Sequence, residues 1–109
     1  MLATFAQAQG FVVKQGVAAL PTVFVAEFGN GKPIIGIIGE FDALPGLSQK
    51  AKATKEPIVD EAPGYGCGHN LFGPGSSGAA MAIKKLITDR KLKGTIRFYG
   101  TPAEEDCGW

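Results

Sequence analysis

Two places in the chain hold residues whose types and spacing could do chemistry. The first is Gly64-Tyr65-Gly66-Cys67-Gly68-His69-Asn70-Leu71, with the only histidine and one of the two cysteines in the sequence. A thiolate and an imidazole two residues apart, on backbone that glycine leaves free, are good ligands for zinc and similar metals. The second is Glu104-Glu105. Neighbouring carboxylates can divide the labour of metal-assisted hydrolysis, one holding the ion and the other acting as general base. Each feature also has an ordinary reading. A cysteine can be a small buried hydrophobe, a lone histidine a satisfied polar group, and paired glutamates a solvated loop. A closed structural zinc site is disfavoured, because it takes four protein ligands and the chain has no second histidine and no Cys-x-x-Cys. A Cys67–His69 nucleophile pair is disfavoured too, since partners two apart on one loop point away from each other and no third group orients the base.

Whether these places form one site depends on the elements that carry them. The chain is 109 residues long, enough for one small domain with a modest core. Leu2 to Ala8 reads as a short helix stopped by Gly10, and Phe11 to Val17 as an outer strand. Thr22 to Phe28 is a second strand. Gly29-Asn30-Gly31-Lys32 is a turn signal, which predicts that the next strand returns antiparallel. That strand, Ile34 to Gly39, is apolar on both faces, the pattern of a central strand covered on both sides. It ends in Glu40-Phe41-Asp42, so acidic groups emerge at a strand's C-terminal end, where open α/β sheets bind ligands.

Ala43 to Phe72 reads as a long loop, the kind that is functional or mobile, with the lysines from Lys50 to Lys55 a solvated face. Ser76 to Asp89 has helical periodicity, with Ala79, Ala82, Ile83, Leu86 and Ile87 on the apolar face. Thr95 to Gly100 is a further strand. A strand–loop–helix–strand order predicts a parallel pairing, so that Asp42, Cys67, His69, Glu104 and Glu105 converge at one sheet edge. Glu104 and Glu105 would point to opposite sides if extended. Gly73-Pro74-Gly75-Ser76-Ser77-Gly78 matches G-x-G-x-x-G ahead of that helix, but it does not follow a strand directly, so a nucleotide fingerprint is the weaker reading.

Composition excludes other classes. A formal net charge of +1 leaves no footprint for nucleic acid or a membrane surface. The longest apolar run, Pro33 to Gly39, is too short to span a bilayer, and the N-terminus has no signal-peptide pattern. A cytoplasmic location with reduced thiols is expected, with a Cys67–Cys107 disulfide as the alternative.

Three motifs occur here in order: Gly39 to Gln49 (GEFDALPGLSQ), Gly66 to Leu71 (GCGHNL) and Gly94 to Glu105 (GTIRFYGTPAEE). In this they resemble the metal-dependent amidohydrolases of the aminoacylase/carboxypeptidase class, in the branch that holds the p-aminobenzoyl-glutamate and indole-acetyl-amino-acid hydrolases. The resemblance implies an α/β fold, a three-layer zinc-peptidase-like catalytic domain with a mixed sheet, of which residues 1–109 would be the N-terminal portion. It implies two divalent metal ions, zinc or manganese, with Cys67, His69 and Glu105 as ligands and Cys67 bridging. Glu104 would be the general base, and Asp42 would orient a ligand. The substrate would be a small N-acyl or N-aroyl amino acid such as p-aminobenzoyl-glutamate.

Members of the class are several times longer. They carry further ligand histidines beyond the Glu-Glu pair and an inserted domain through which they often dimerise. Here Asp106-Cys107-Gly108-Trp109 replaces the glycine run expected after Glu105. The reading is therefore a truncated chain with an incomplete metal site, inactive by itself. Its alternative is a non-catalytic remnant that binds metal weakly.

Overall fold

The computed structural model describes residues 1–106. The alternative Cys67–Cys107 pairing thus falls outside the described residues. Helix α1 is Leu2–Ala8 and strand β1 is Val12–Gln15. A short 3-10 turn at Val17–Ala19 leads to β2, Phe24–Asn30. Strand β3 is Ile34–Glu40, α2 is His69–Arg90 and β4 is Gly94–Thr101. The four strands make one mixed sheet in the order β1-β2-β4-β3. β1–β2 and β2–β4 pair antiparallel, and β3–β4 pairs parallel as the crossover predicts.

Both helices lie on one face of the sheet. Alternate residues of β2 and β4 point to that face, and Phe24, Ala26, Ile96 and Phe98 join Ala3, Ala6, Phe11 and Ala80 in a single buried cluster. Phe24 and Phe98 meet edge to face with centroids 5.3 Å apart. Burial of each such side chain contributes about 1.5–3 kcal/mol. The sheet and one helical layer of the three-layer arrangement are therefore in place among the described residues. The other face carries Tyr99 and the Arg97–Glu27 ion pair of 2.5 Å. No described helix is long and apolar enough to cross a membrane.

Four expectations change. β2 and β3 do not form a hairpin, because β4 inserts between them. β3 is consequently an edge strand among the described residues, with Ile34, Ile35 and Ile38 exposed. Its apolarity tells what its faces would accept, not which strands lie beside it. Helix α2 begins at His69 rather than Ser76, so the glycine run Gly73–Gly78 is helical and its amides do not form a phosphate loop. The buried stripe of α2 is His69, Gly73, Ser77 and Ala80, with Ile83 and Ile87 partly buried against the core, while Ala79, Ala82 and Leu86 face outward. Small residues form the stripe because the helix start packs close to α1 and the sheet: a Cβ at Gly73 would come within 2.7 Å of Leu2.

Candidate metal centre

Because β3 and β4 run parallel, their C-terminal ends share one sheet edge. Glu40 closes β3, Asp42 follows it, and Glu104 and Glu105 stand on the turn just past β4. The long connection between β3 and α2 is brought back to this edge by its own backbone. Leu44 and Gly64 exchange N–H···O bonds of 3.0 and 2.9 Å, and the Ser48 N–H donates to the Ala62 carbonyl at 2.9 Å. A Cβ at Gly64 would lie 1.9 Å from the Leu47 carbonyl oxygen, so only glycine permits this closure. The lysines of the connection are exposed, and Lys50 and Lys52 both pair with Glu56. Past Cys67, Gly68 takes a φ of 93° as the N-cap of α2, a left-handed turn that glycine makes without penalty. His69 follows as the first residue of the helix.

His69 is the hub. It is 4% exposed, and its ring tilts against Phe72 one turn along α2, with centroids 5.3 Å apart. Nδ1 lies 2.9 Å from Asp42 Oδ1 and 4.0 Å from Glu105 Oε1. Nε2 lies 3.3 Å from Glu40 Oε2 and 3.7 Å from Glu104 Oε2. Glu104 and Glu105 thus do not point to opposite sides. They sit on a turn rather than an extended strand, and both reach the same imidazole at different edges.

Asp42 fixes the imidazole. Its other oxygen accepts the Glu105 backbone N–H at 2.8 Å, tying the two strand ends together. Burial pushes the Asp42 carboxyl up, but the N–H bonds from Glu105 and its own backbone, together with the bond and charge of His69, outweigh burial and hold it below the ordinary aspartate value. An ionised Asp42 accepts a hydrogen bond from Nδ1–H, which leaves the Nε2 edge facing Glu40 and Glu104.

The donor set fits a divalent cation. The ligand atoms of Cys67, His69 and Glu105 lie within 4.8 Å of one another, and so do those of Glu40, His69 and Glu104. Four carboxylates surround one imidazole, and among the described residues none of the four is paired with a lysine or arginine. Clustered anions of this kind need a compensating positive charge.

Over 105 residues, 95% of this chain, the sequence is 46% identical to a p-aminobenzoyl-glutamate hydrolase polypeptide of Escherichia coli. The chain belongs to the metal-dependent amidohydrolases of the aminoacylase/carboxypeptidase class. It is also 34% identical to N-acetylcysteine deacetylase of Bacillus subtilis over 93 residues, 82% of this chain. It spans 22% and 23% of the length of these two relatives. Among solved structures, the YXEP protein of Bacillus subtilis, a dinuclear metal-binding peptidase of the M20 family, matches with a TM-score of 0.74 and 28% identity. That match covers 98% of this chain and 30% of the other. No family model matches the chain.

Within this amidohydrolase chain, the structure brings all five expected residues to one edge: Asp42, Cys67, His69, Glu104 and Glu105. Glu40 joins them without having been singled out for a role. Its signal was present, since it shares a strand end with Asp42 and side chains two apart on a strand face the same way.

Proposed function

We propose that residues 1–109 form the N-terminal portion of the catalytic domain of an enzyme that hydrolyses the amide of N-acyl or N-aroyl amino acids, such as p-aminobenzoyl-glutamate. The observation that carries this reading is the ring of thiol, imidazole and carboxylates around His69, on a chain similar in sequence to a hydrolase of that substrate. Cys67, His69 and Glu105 would hold divalent metal, zinc or manganese. When bound, a pair of such ions supplies a Lewis acid for the scissile carbonyl and lowers the pKa of the attacking water.

The chain's own residues do the rest. Asp42 holds the Nδ1 proton of His69 and keeps the ring turned toward the site. The Glu104 carboxylate, about half exposed at the turn, is free to take a proton from water and return it to the departing amine nitrogen. A cleft walled by Phe41, Leu44 and Pro102 opens beside Asp42 and Glu105, and offers apolar surface for an acyl or aroyl group. The reaction would take place in the cytoplasm.

Titration calorimetry with zinc and with manganese tests the site. Binding to the 109-residue chain that is lost in both Cys67→Ser and His69→Ala is expected, and equal affinity in all three proteins would refute the ligand assignment.

A second reading, metal binding without turnover, is favoured by the single histidine in the sequence. Two-metal sites draw on more first-contact ligands than this chain supplies. The 109-residue chain is therefore expected to show no hydrolysis of p-aminobenzoyl-glutamate with either metal. Turnover that disappears in Glu104→Gln would reject this second reading.

A further inference from the structure

Two carboxylates from one strand end grip the two edges of a single imidazole. Asp42 Oδ1 lies 2.9 Å from His69 Nδ1, and Glu40 Oε2 lies 3.3 Å from Nε2. Glu40 closes β3 and Asp42 stands two residues beyond it, so alternation sends both side chains the same way.

The two contacts differ in kind. At Nδ1 the contact is a hydrogen bond. At Nε2 it is not. Among the described residues Nε2 has no hydrogen-bond partner, although the His69 side chain is only 6% exposed. At 3.3 Å the Glu40 oxygen therefore stands off the axis along which the ring nitrogen points. A buried nitrogen and its nearest carboxylate thus converge on a common point instead of bonding each other.

That offset is the spacing of two donors on one ion. An ion bound at about 2.0–2.1 Å to each of two donors at the tetrahedral angle sets them about 3.3–3.4 Å apart, with the second donor about 35° off the axis of the first. The other carboxylates are less well placed. Glu104 Oε2 is 3.7 Å from Nε2 on a half-exposed side chain, and Glu105 Oε1 faces the Nδ1 edge at 4.0 Å. With Nδ1 engaged by Asp42, an ion on His69 takes Nε2, and the carboxylate oxygen nearest to Nε2 belongs to Glu40.

We infer that Glu40 is a metal ligand, its carboxylate holding the same ion as His69 Nε2, with Glu104 beside them as the base. The inference rests on the metal-holding role proposed for Cys67 and His69. It makes the end of β3 a supplier of ligands, alongside the Cys67–His69 loop and the turn after β4. It also gives the Glu40 charge a counterpart, since among the described residues no lysine or arginine pairs with it.

Cobalt(II) binding to the 109-residue chain under reducing conditions tests the ligand role, with circular dichroism showing that each variant keeps the wild-type fold. Wild type is expected to show the thiolate-to-cobalt charge-transfer absorption of Cys67. Glu40→Cys puts a second thiolate on the ion and should raise that absorption about twofold. Glu40→Gln, which keeps the shape and loses the charge, should weaken cobalt binding about tenfold or more. An absorption unchanged in Glu40→Cys, or an affinity unchanged in Glu40→Gln, overturns the inference while leaving Cys67 and His69 as ligands. Absence of cobalt binding in wild type overturns both assignments.

Discussion

At the scale of the residue, the chemistry depends on which way one imidazole faces. Asp42 decides this by holding Nδ1, and it is itself held by the Glu105 N–H across the sheet edge. Asp42→Asn keeps the shape but removes the charge from these bonds. It should cost about 1.5–3 kcal/mol at neutral pH, as bonds to charged groups do. The pH dependence follows from the direction of the Asp42 shift. Its folded pKa lies below the ordinary 3.8, so its contribution is complete above that value and is lost as pH falls through the lower folded one. Urea unfolding of wild type and Asp42→Asn should therefore show a stability gap at pH 7 that narrows in strong acid, and a gap that widens would contradict the assignment. Glu40 belongs to the same scale. Its carboxylate is the nearest acidic group to Nε2, so Glu40→Gln should weaken zinc binding about tenfold or more with little loss of helicity. Unchanged affinity by calorimetry would leave Glu40 as a bystander.

At the scale of the element, α2 and β4 deliver the site, and each has glycine where its packing is tightest, Gly73 and Gly100. Pro74 lies inside α2 rather than at its first position, so the helix lacks the N–H that would reach the Asn70 carbonyl. Pro74→Ala restores that donor and should raise stability by about 1–3 kcal/mol. A lower melting temperature in that variant would argue against a helix that starts at His69. Gly100 sits near the end of β4 with Phe24 pressed over it, and a Cβ there would come within 2.0 Å of the ring. Gly100→Ala must displace Phe24 or the strand, at a cost of about 1–3 kcal/mol or more. It should also lower metal affinity, since Glu104 and Glu105 hang from the end of that strand. Measuring both quantities on one variant separates a shift of the strand from a simple loss of packing.

At the scale of the whole molecule, one cluster on one face of the sheet supports everything. Phe98 is fully buried between α2 and β2, and Phe98→Ala should cost about 3–5 kcal/mol. Small domains have only about 5–15 kcal/mol in total, so chemical denaturation should find this variant close to unfolded at 25 °C. A cooperative transition at wild-type denaturant concentration would mean that the core lies elsewhere. Along β3, Ile34, Ile35 and Ile38 are exposed among the described residues.

The sequence by itself determined the local elements and the chemical vocabulary. Alternation and turn residues located the strands, Leu2–Ala8 was legible as a helix, and the residue types at Asp42, Cys67, His69, Glu104 and Glu105 offered donors of the kind that can hold a metal. These are properties of neighbours along the chain. Only the tertiary structure decided that β4 enters between β2 and β3, because strand order depends on long-range pairing that no local pattern encodes. That insertion separated β3 from β2. It also set the ends of β3 and β4 side by side, and so drew Glu40 to His69. The start of α2 was hidden for a related reason: glycine and proline discourage a helix locally, and the tight packing of that small-residue stripe against α1 and the sheet overrides them.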